Sequence, residues 1–115
     1  MEQDERPWGG YEVLLDEPGY KVKRITLKAG QRFSLQRHHL RGEHWFFVQG
    51  EGIATVLDCE LPVQAGQALT VPREAAHRLY NSSSDPLVFI EIQRGEYLGE
   101  DDIERLEDDY GRISK

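Results

Sequence analysis

The chain has 115 residues and carries 21 acidic against 14 basic side chains, a formal net charge of −7. That length predicts one domain able to bury roughly two-thirds of its unfolded surface without staples, and the acidic balance excludes a nucleic-acid coat, which needs a basic face to neutralise phosphates. The single cysteine, Cys59, has no internal partner, Met1–Pro7 lacks a signal-peptide core, and no run approaches the ~18 apolar residues of a spanning helix, so a cytoplasmic protein without membrane contact is expected.

Short β-type runs alternate with turn residues from the N-terminus onward. Tyr11–Leu15 ends at Asp16-Glu17-Pro18-Gly19, and Tyr20–Leu27 ends at Lys28-Ala29-Gly30. Phe33–His38 and Glu43–Gln49 follow, the second closed by Gly50-Glu51-Gly52. Ile53–Leu57, Leu61–Val63, Ala68–Val71, His77–Asn81 and Leu87–Gln93 complete the series. This is the rhythm of an all-β sandwich or barrel, here over about residues 8–95. Beyond it, Ile103, Leu106 and Tyr110 recur at helical spacing, with Asp101 or Asp102 placed to cap and Gly111 to stop. A short C-terminal helix is therefore predicted in a tail over about residues 99–112. Its acidic start, Gly99-Glu100-Asp101-Asp102, suits the positive end of a helix dipole.

Strand parity gathers a set of donors. With a period of two, Ser34, Gln36 and His38 share one face, and Glu43 shares its face with Trp45 and Phe47. His77, five residues past Pro72, adds a second imidazole from a later strand. Gln36, His38, Glu43 and His77 thus offer two imidazoles, a carboxylate and an amide oxygen. That set suits one divalent metal ion, Zn²⁺ first, with Co²⁺, Mn²⁺ or Fe²⁺ as further options. The alternative for each histidine is a hydrogen-bonded structural role. Trp45 and Phe47 read as barrel filling rather than as a stacking platform for a sugar.

The spacing Gly30-x5-Gln36-x-His38-x4-Glu43-x6-Gly50, followed by Gly66-x5-Pro72-x4-His77-x3-Asn81, resembles the two-part cupin signature. Gln36 replaces that signature's usual first histidine, and Glu74 stands where glycine is common. The flanks narrow the resemblance: Arg6-Pro7-Trp8-Gly9 with Tyr11, Gly19-Tyr20-Lys21-Val22-Lys23-Arg24-Ile25, Leu35-Gln36-Arg37-His38-His39 and Arg41-Gly42-Glu43-His44-Trp45. Val71-Pro72, His77-Arg78-Leu79, Ile90-Glu91-Ile92-Gln93 and Tyr97-Leu98-Gly99-Glu100-Asp101-Asp102-Ile103 extend it. From about Arg6 to Arg112 the chain is similar to the type II mannose-6-phosphate isomerase family, the C-terminal cupin of bifunctional mannose-1-phosphate guanylyltransferase/mannose-6-phosphate isomerases. Members of that family share Leu-Gln-x-His at the position of Gln36.

The resemblance implies a cupin double-stranded β-helix, or jelly-roll barrel, in one cupin domain across residues 1–115. It also implies a bound divalent metal, a small sugar-phosphate substrate and a place in GDP-mannose and polysaccharide biosynthesis. The guanylyltransferase half lies outside these residues. Nucleotide transfer is therefore not expected of them, and a separate mannose-1-phosphate guanylyltransferase is an expected partner.

Interconverting mannose 6-phosphate and fructose 6-phosphate moves a proton between C1 and C2 through an enediol-type intermediate. The site needs an electrophile, a base and a phosphate anchor. Metal on the four donors would supply the first. Glu91 alternates with Phe89 and Gln93 on one strand face and is the candidate base, since burial in an apolar barrel raises a carboxyl pKa. Lys23 is a rival proton carrier, and His44 a weaker one. Candidate cations for the phosphate are Arg41, Arg78, Lys23 and Arg24. Arg105 and Arg112, seven apart, would project from one side of the predicted helix, and the resemblance makes this tail part of the site. The candidate catalytic set is thus Glu91, Lys23, Arg41 and Arg105, and the substrate-binding set is Arg78, Arg112 and Arg24. Two other functions fit the residues: a non-catalytic cupin that binds a sugar or sugar nucleotide, and a non-haem iron oxygenase using two histidines and a carboxylate. Gln36 and the many arginines speak against the oxygenase. An exposed edge strand near the N-terminus favours a homodimer.

Overall fold

The computed structural model describes residues 3–111. Its strands are β1 (Gln3–Arg6), β2 (Gly9–Glu17), β3 (Tyr20–Leu27), β4 (Leu35–Arg37), β5 (Arg41–Gln49), β6 (Glu51–Val56), β7 (Cys59–Gln64), β8 (Ala68–Val71), β9 (His77–Tyr80), β10 (Leu87–Gly95) and β11 (Glu104–Glu107). They form two antiparallel sheets, one in the order β1-β2-β3-β10-β5-β8 and the other in the order β11-β4-β9-β6-β7. This is the two-sheet barrel that the motif pair implies. β1 belongs to no predicted run, because its Gln-Asp-Glu-Arg sequence has no apolar alternation; pairing with β2 makes it a strand.

Period-two alternation gives the barrel its contents. On β3 the inward set is Lys21, Lys23, Ile25 and Leu27; on β10 it is Leu87, Phe89, Glu91 and Gln93; on β5 it is Arg41, Glu43, Trp45 and Phe47. Antiparallel register aligns them in rows, so that Ile25, Phe89 and Phe47 lie abreast, Lys23, Glu91 and Trp45 lie next, and Lys21, Gln93 and Glu43 follow. One end of the interior is thereby apolar and the other charged. At the apolar end Leu27, Phe47, Leu79, Leu87 and Phe89 are fully buried, each contributing about 1.5–3 kcal/mol relative to exposure. Trp8, Phe33, Trp45 and Phe89 continue the core as a run of ring contacts at 5.7, 5.9 and 5.1 Å between centroids. The charged end therefore rests on a close-packed aromatic floor. No described helix is long and apolar enough to cross a membrane.

The predicted C-terminal helix is absent, and β11 takes its place as an edge strand on β4. The helical spacing misleads because its members do different things. Ile103 lines the central cavity, Leu106 is exposed, and the Tyr110 hydroxyl donates to Gln31 Oε1 at 2.6 Å and the Arg32 carbonyl at 3.0 Å. The β4–β11 ladder holds the tail, and exposed ion pairs add to it: Arg37 of β4 with Glu104 at 2.9 Å, and Arg32, ahead of β4, with Asp109 at 2.6 Å. Asp102 caps no helix. Its two carboxylate oxygens accept from the backbone amides of His39 and Leu40, both at 3.0 Å, and so fix the loop between β4 and β5. Glu74 has a left-handed φ of 69°, which accounts for glycine being common at its place, and its amide donates to the His38 carbonyl at 2.8 Å.

Asp102→Ala strips both amides of their acceptor at a residue only 9 % exposed, and should destabilise the fold by about 2 kcal/mol. Chemical denaturation would read this as a lowered midpoint, with Asp102→Asn recovering part of it through its amide oxygen. An unchanged midpoint in Asp102→Ala would mean that water replaces the carboxylate without loss.

Candidate metal centre and active site

Three strands deliver the donors. Glu43 faces inward from β5, His77 opens β9, and His38 follows directly on β4, all three with side chains at most 5 % exposed. His38 Nε2 lies 3.2 Å from Glu43 Oε2, and His77 Nε2 lies 3.9 Å from Glu43 Oε1. One ligand atom from each of the three lies within 4.8 Å of the others. The backbone sets the tautomers: His38 Nδ1 is 2.6 Å from the Asp102 carbonyl, and His77 Nδ1 is 2.9 Å from the Ala75 carbonyl. A carbonyl can only accept, so each Nδ1 carries a hydrogen, and each Nε2 faces Glu43. That is the arrangement of metal-ligating imidazoles, oriented by a backbone acceptor behind the ring.

The charge states agree with this. Burial pushes the His38 pKa down to about 4, against the pull of Glu43, so the imidazole is neutral near pH 7. Burial alone would raise Glu43, but His77, Arg41 and His38 hold its carboxyl well below the usual carboxylate range. The Trp45 indole donates to Glu43 Oε1 at 3.0 Å and Arg41 Nε donates to Oε2 at 2.9 Å, so both carboxylate oxygens are held. Gln36 stands opposite His77 in the β4–β9 register and lines the same cavity. His38, Glu43 and His77 converge with Gln36 on the same cavity wall, a donor set that fits a divalent metal ion.

A second carboxyl, Glu91, lies beside this cluster and is 5 % exposed. Burial first, then the Glu43 charge, pushes its pKa up to about 8. Gln93 Nε2 donates to Glu91 Oε1 at 2.6 Å and orients it. Lys23 faces Glu91 across the β3–β10 register, with Nζ 3.9 Å above the Tyr11 ring. Lys23 is ion-paired with Glu100, and Arg41 Nη1 lies 3.3 Å from the other Glu100 oxygen. The shared cavity, about 100 Å³, also meets Arg6 and Arg105, the latter opposite Gln36 in the β11–β4 register.

The predicted set therefore divides. Gln36, His38, Glu43, His77, Glu91, Lys23, Arg41 and Arg105 line one cavity. Arg78 is not among its lining residues; buried beneath the tail, it donates to the Phe33 carbonyl at 3.0 Å and the Glu107 carbonyl at 3.2 Å. Arg24 lies on the outer face, bonded to Glu12 at 2.7 Å, because strand parity opposes it to Lys23. His44 likewise faces out, 3.2 Å from Thr70 Oγ1. Arg112 lies outside the described residues. Sequence reasoning missed Arg6 and Glu100 as cavity residues. The only signal for Glu100 was an acidic run already explained as a helix start.

Residues 2–108 match the family model described as mannose-6-phosphate isomerase C-terminal. The chain is 47 % identical over 110 residues to the alginate biosynthesis protein AlgA of Pseudomonas aeruginosa, covering 96 % of this chain and 23 % of that protein. It is 46 % identical over 107 residues to a mannose-1-phosphate guanylyltransferase of Escherichia coli, again spanning only 23 % of the relative's length. Among solved structures, the capsular polysaccharide assembling protein CapF of Staphylococcus aureus superposes with a TM-score of 0.81 at 19 % identity, over 91 % of this chain and 34 % of that one. A double-stranded β-helix protein of Klebsiella pneumoniae gives a TM-score of 0.73 at 18 % identity, over 84 % and 82 % of the two chains. These structural likenesses establish the cupin barrel. By the match along nearly its whole length, the chain belongs to the mannose-6-phosphate isomerase C-terminal family.

Proposed function

We propose that this chain interconverts mannose 6-phosphate and fructose 6-phosphate as an aldose-ketose isomerase. The observation that carries the reading is Glu91, a second buried carboxyl with an elevated pKa, set beside a two-histidine, one-carboxylate cluster at the charged end of the barrel. A divalent ion, Zn²⁺ foremost, would be held by Gln36, His38, Glu43 and His77, and when bound it polarises sugar oxygens and offsets negative charge developing on them. Glu91 takes a proton from one sugar carbon and returns it to the neighbouring one, a task suited to a group with a pKa near the working pH. Gln93 aims the Glu91 carboxyl, and the buried Trp45 beneath it excludes water from the floor. Lys23, Arg41 and Arg105 supply positive charge toward the mouth. Arg78 positions the tail through the Phe33 and Glu107 carbonyls rather than touching substrate.

The chain spans under a quarter of the length of its curated relatives, and the reading assigns no guanylyltransferase chemistry to these residues. A homodimer through the open edge of β1 belongs to the same reading.

A coupled assay for fructose 6-phosphate on chelator-stripped protein should show turnover restored by Zn²⁺, Co²⁺ or Mn²⁺ and lost in His77→Ala. No turnover from folded, metal-loaded protein would instead favour the sugar-binding cupin. Glu91→Gln should lower kcat by about 10²–10⁴-fold while leaving bound metal unchanged; a near-normal kcat would remove Glu91 as the base. The stability of the metal-free protein carries a second signature. The folded Glu91 pKa of about 8 lies above its ordinary 4.5, so folding takes up a proton and stability falls as pH rises through that window. Glu91→Gln should flatten this fall in thermal midpoint, and an unchanged slope would place the proton elsewhere.

A further inference from the structure

Near the cavity mouth two cations from the barrel wall meet an anion of their own chain. The Lys23 and Arg41 side chains are 3 % and 6 % exposed, and both are ion-paired to Glu100, whose side chain is 35 % exposed. Arg41 directs Nε at Glu43 and Nη2 at His38, which leaves Nη1 for Glu100. Glu43 and Glu91 are at most 5 % exposed, so Glu100 is the outermost carboxylate of the group. Buried cations are costly to leave unpaired, and here their outward-facing partner comes from the segment between β10 and β11. The cavity that these groups border, about 100 Å³, falls short of the roughly 300–1,000 Å³ usual for small-molecule sites. Withdrawal of Glu100 would open it and expose the Lys23 ammonium and Arg41 Nη1 together, while Arg41 stays held by Glu43 and His38.

We propose that Lys23 and Arg41 form the seat of the substrate's phosphate group and that Glu100 is its built-in occupant, an internal anion which a phosphate monoester displaces. The inference rests on the sugar-phosphate reading above and adds a specificity device to it. A phosphate monoester brings nearly two charges and three oxygens where Glu100 brings one charge and two oxygens. An unphosphorylated sugar has no group able to displace the carboxylate, and the seat stays closed to it. The displaced segment is short, because Asp102 stays clamped to the amides of His39 and Leu40.

Calorimetric titration of inorganic phosphate into the full chain, both Zn²⁺-loaded and chelated, tests the seat directly. Glu100→Gln should tighten phosphate about tenfold by removing the competing charge at a partly screened site, and adding Lys23→Met should cancel the gain. The KM for mannose 6-phosphate should fall in Glu100→Gln. Unchanged or weaker phosphate binding in Glu100→Gln overturns the proposal, as does a lost kcat at constant KM, which would make Glu100 part of the chemistry. Hydrogen exchange on the unmutated chain needs no variant: phosphate should speed exchange across residues 96–101, and unaltered exchange there also overturns it. Tightened phosphate binding without sugar-phosphate turnover keeps the seat and rejects the isomerase. Turnover with phosphate affinity indifferent to Glu100 rejects the seat alone.

Discussion

Glu43 is a carboxylate with 2 % of its side chain exposed, ionised in a barrel whose floor is aromatic. Desolvation alone would protonate it. It stays charged because the Arg41 guanidinium and the Trp45 indole donate to its two oxygens, with His38 and His77 set beside them. Each of those partners is fixed from behind in turn: the histidines by the Asp102 and Ala75 carbonyls, Trp45 by Phe33 and Phe89, and Arg41 by Glu100. The outer positions thus follow from one inner requirement. Asp102 serves it twice, through its carbonyl to His38 and its carboxylate to the loop that carries His38 into β5.

The barrel and the donor set were legible in the sequence because both depend on a period of two. Inward placement of Glu43, Trp45 and Phe47 on one strand, and of Phe89, Glu91 and Gln93 on another, needs only alternation. The same parity sends Arg24 outward once Lys23 faces in, so that misassignment was avoidable. β8 falls on the residues expected of it, since Gly66 and Pro72 bracket it. β1 was not legible, because it gains its strand character from pairing rather than from its own residues.

The tail was misread for a different reason. Helical spacing is a statement about one face, and Ile103, Leu106 and Tyr110 share no face here. The competing information lay in partners distant in sequence: Arg32, Arg37 and Arg78, which Asp109, Glu104 and the Glu107 carbonyl meet once β4 and β9 are in place. An acidic run next to a barrel rich in arginine is ambiguous in one dimension. It can be a helix start or a set of docking charges, and tertiary pairing decides.

Charge balance at the open end links the fold to its chemistry. Lys23 pairs with Glu100, and Arg41 with both Glu43 and Glu100, while burial and the Glu43 charge favour the protonated form of Glu91 beside them. Added positive charge at the His38, Glu43 and His77 cluster would favour ionisation of Glu91, because the Glu43 charge that now opposes it would be offset. A carboxyl held near the middle of its titration by two opposing influences is the one that can accept and return a proton at small cost. Gln36 fits the same balance: a neutral amide beside a single carboxylate leaves a divalent ion with net positive charge, whereas a second carboxylate there would remove it. The cavity would then remain attractive to an anion, with Arg6 and Arg105 at its edge reinforcing that sign.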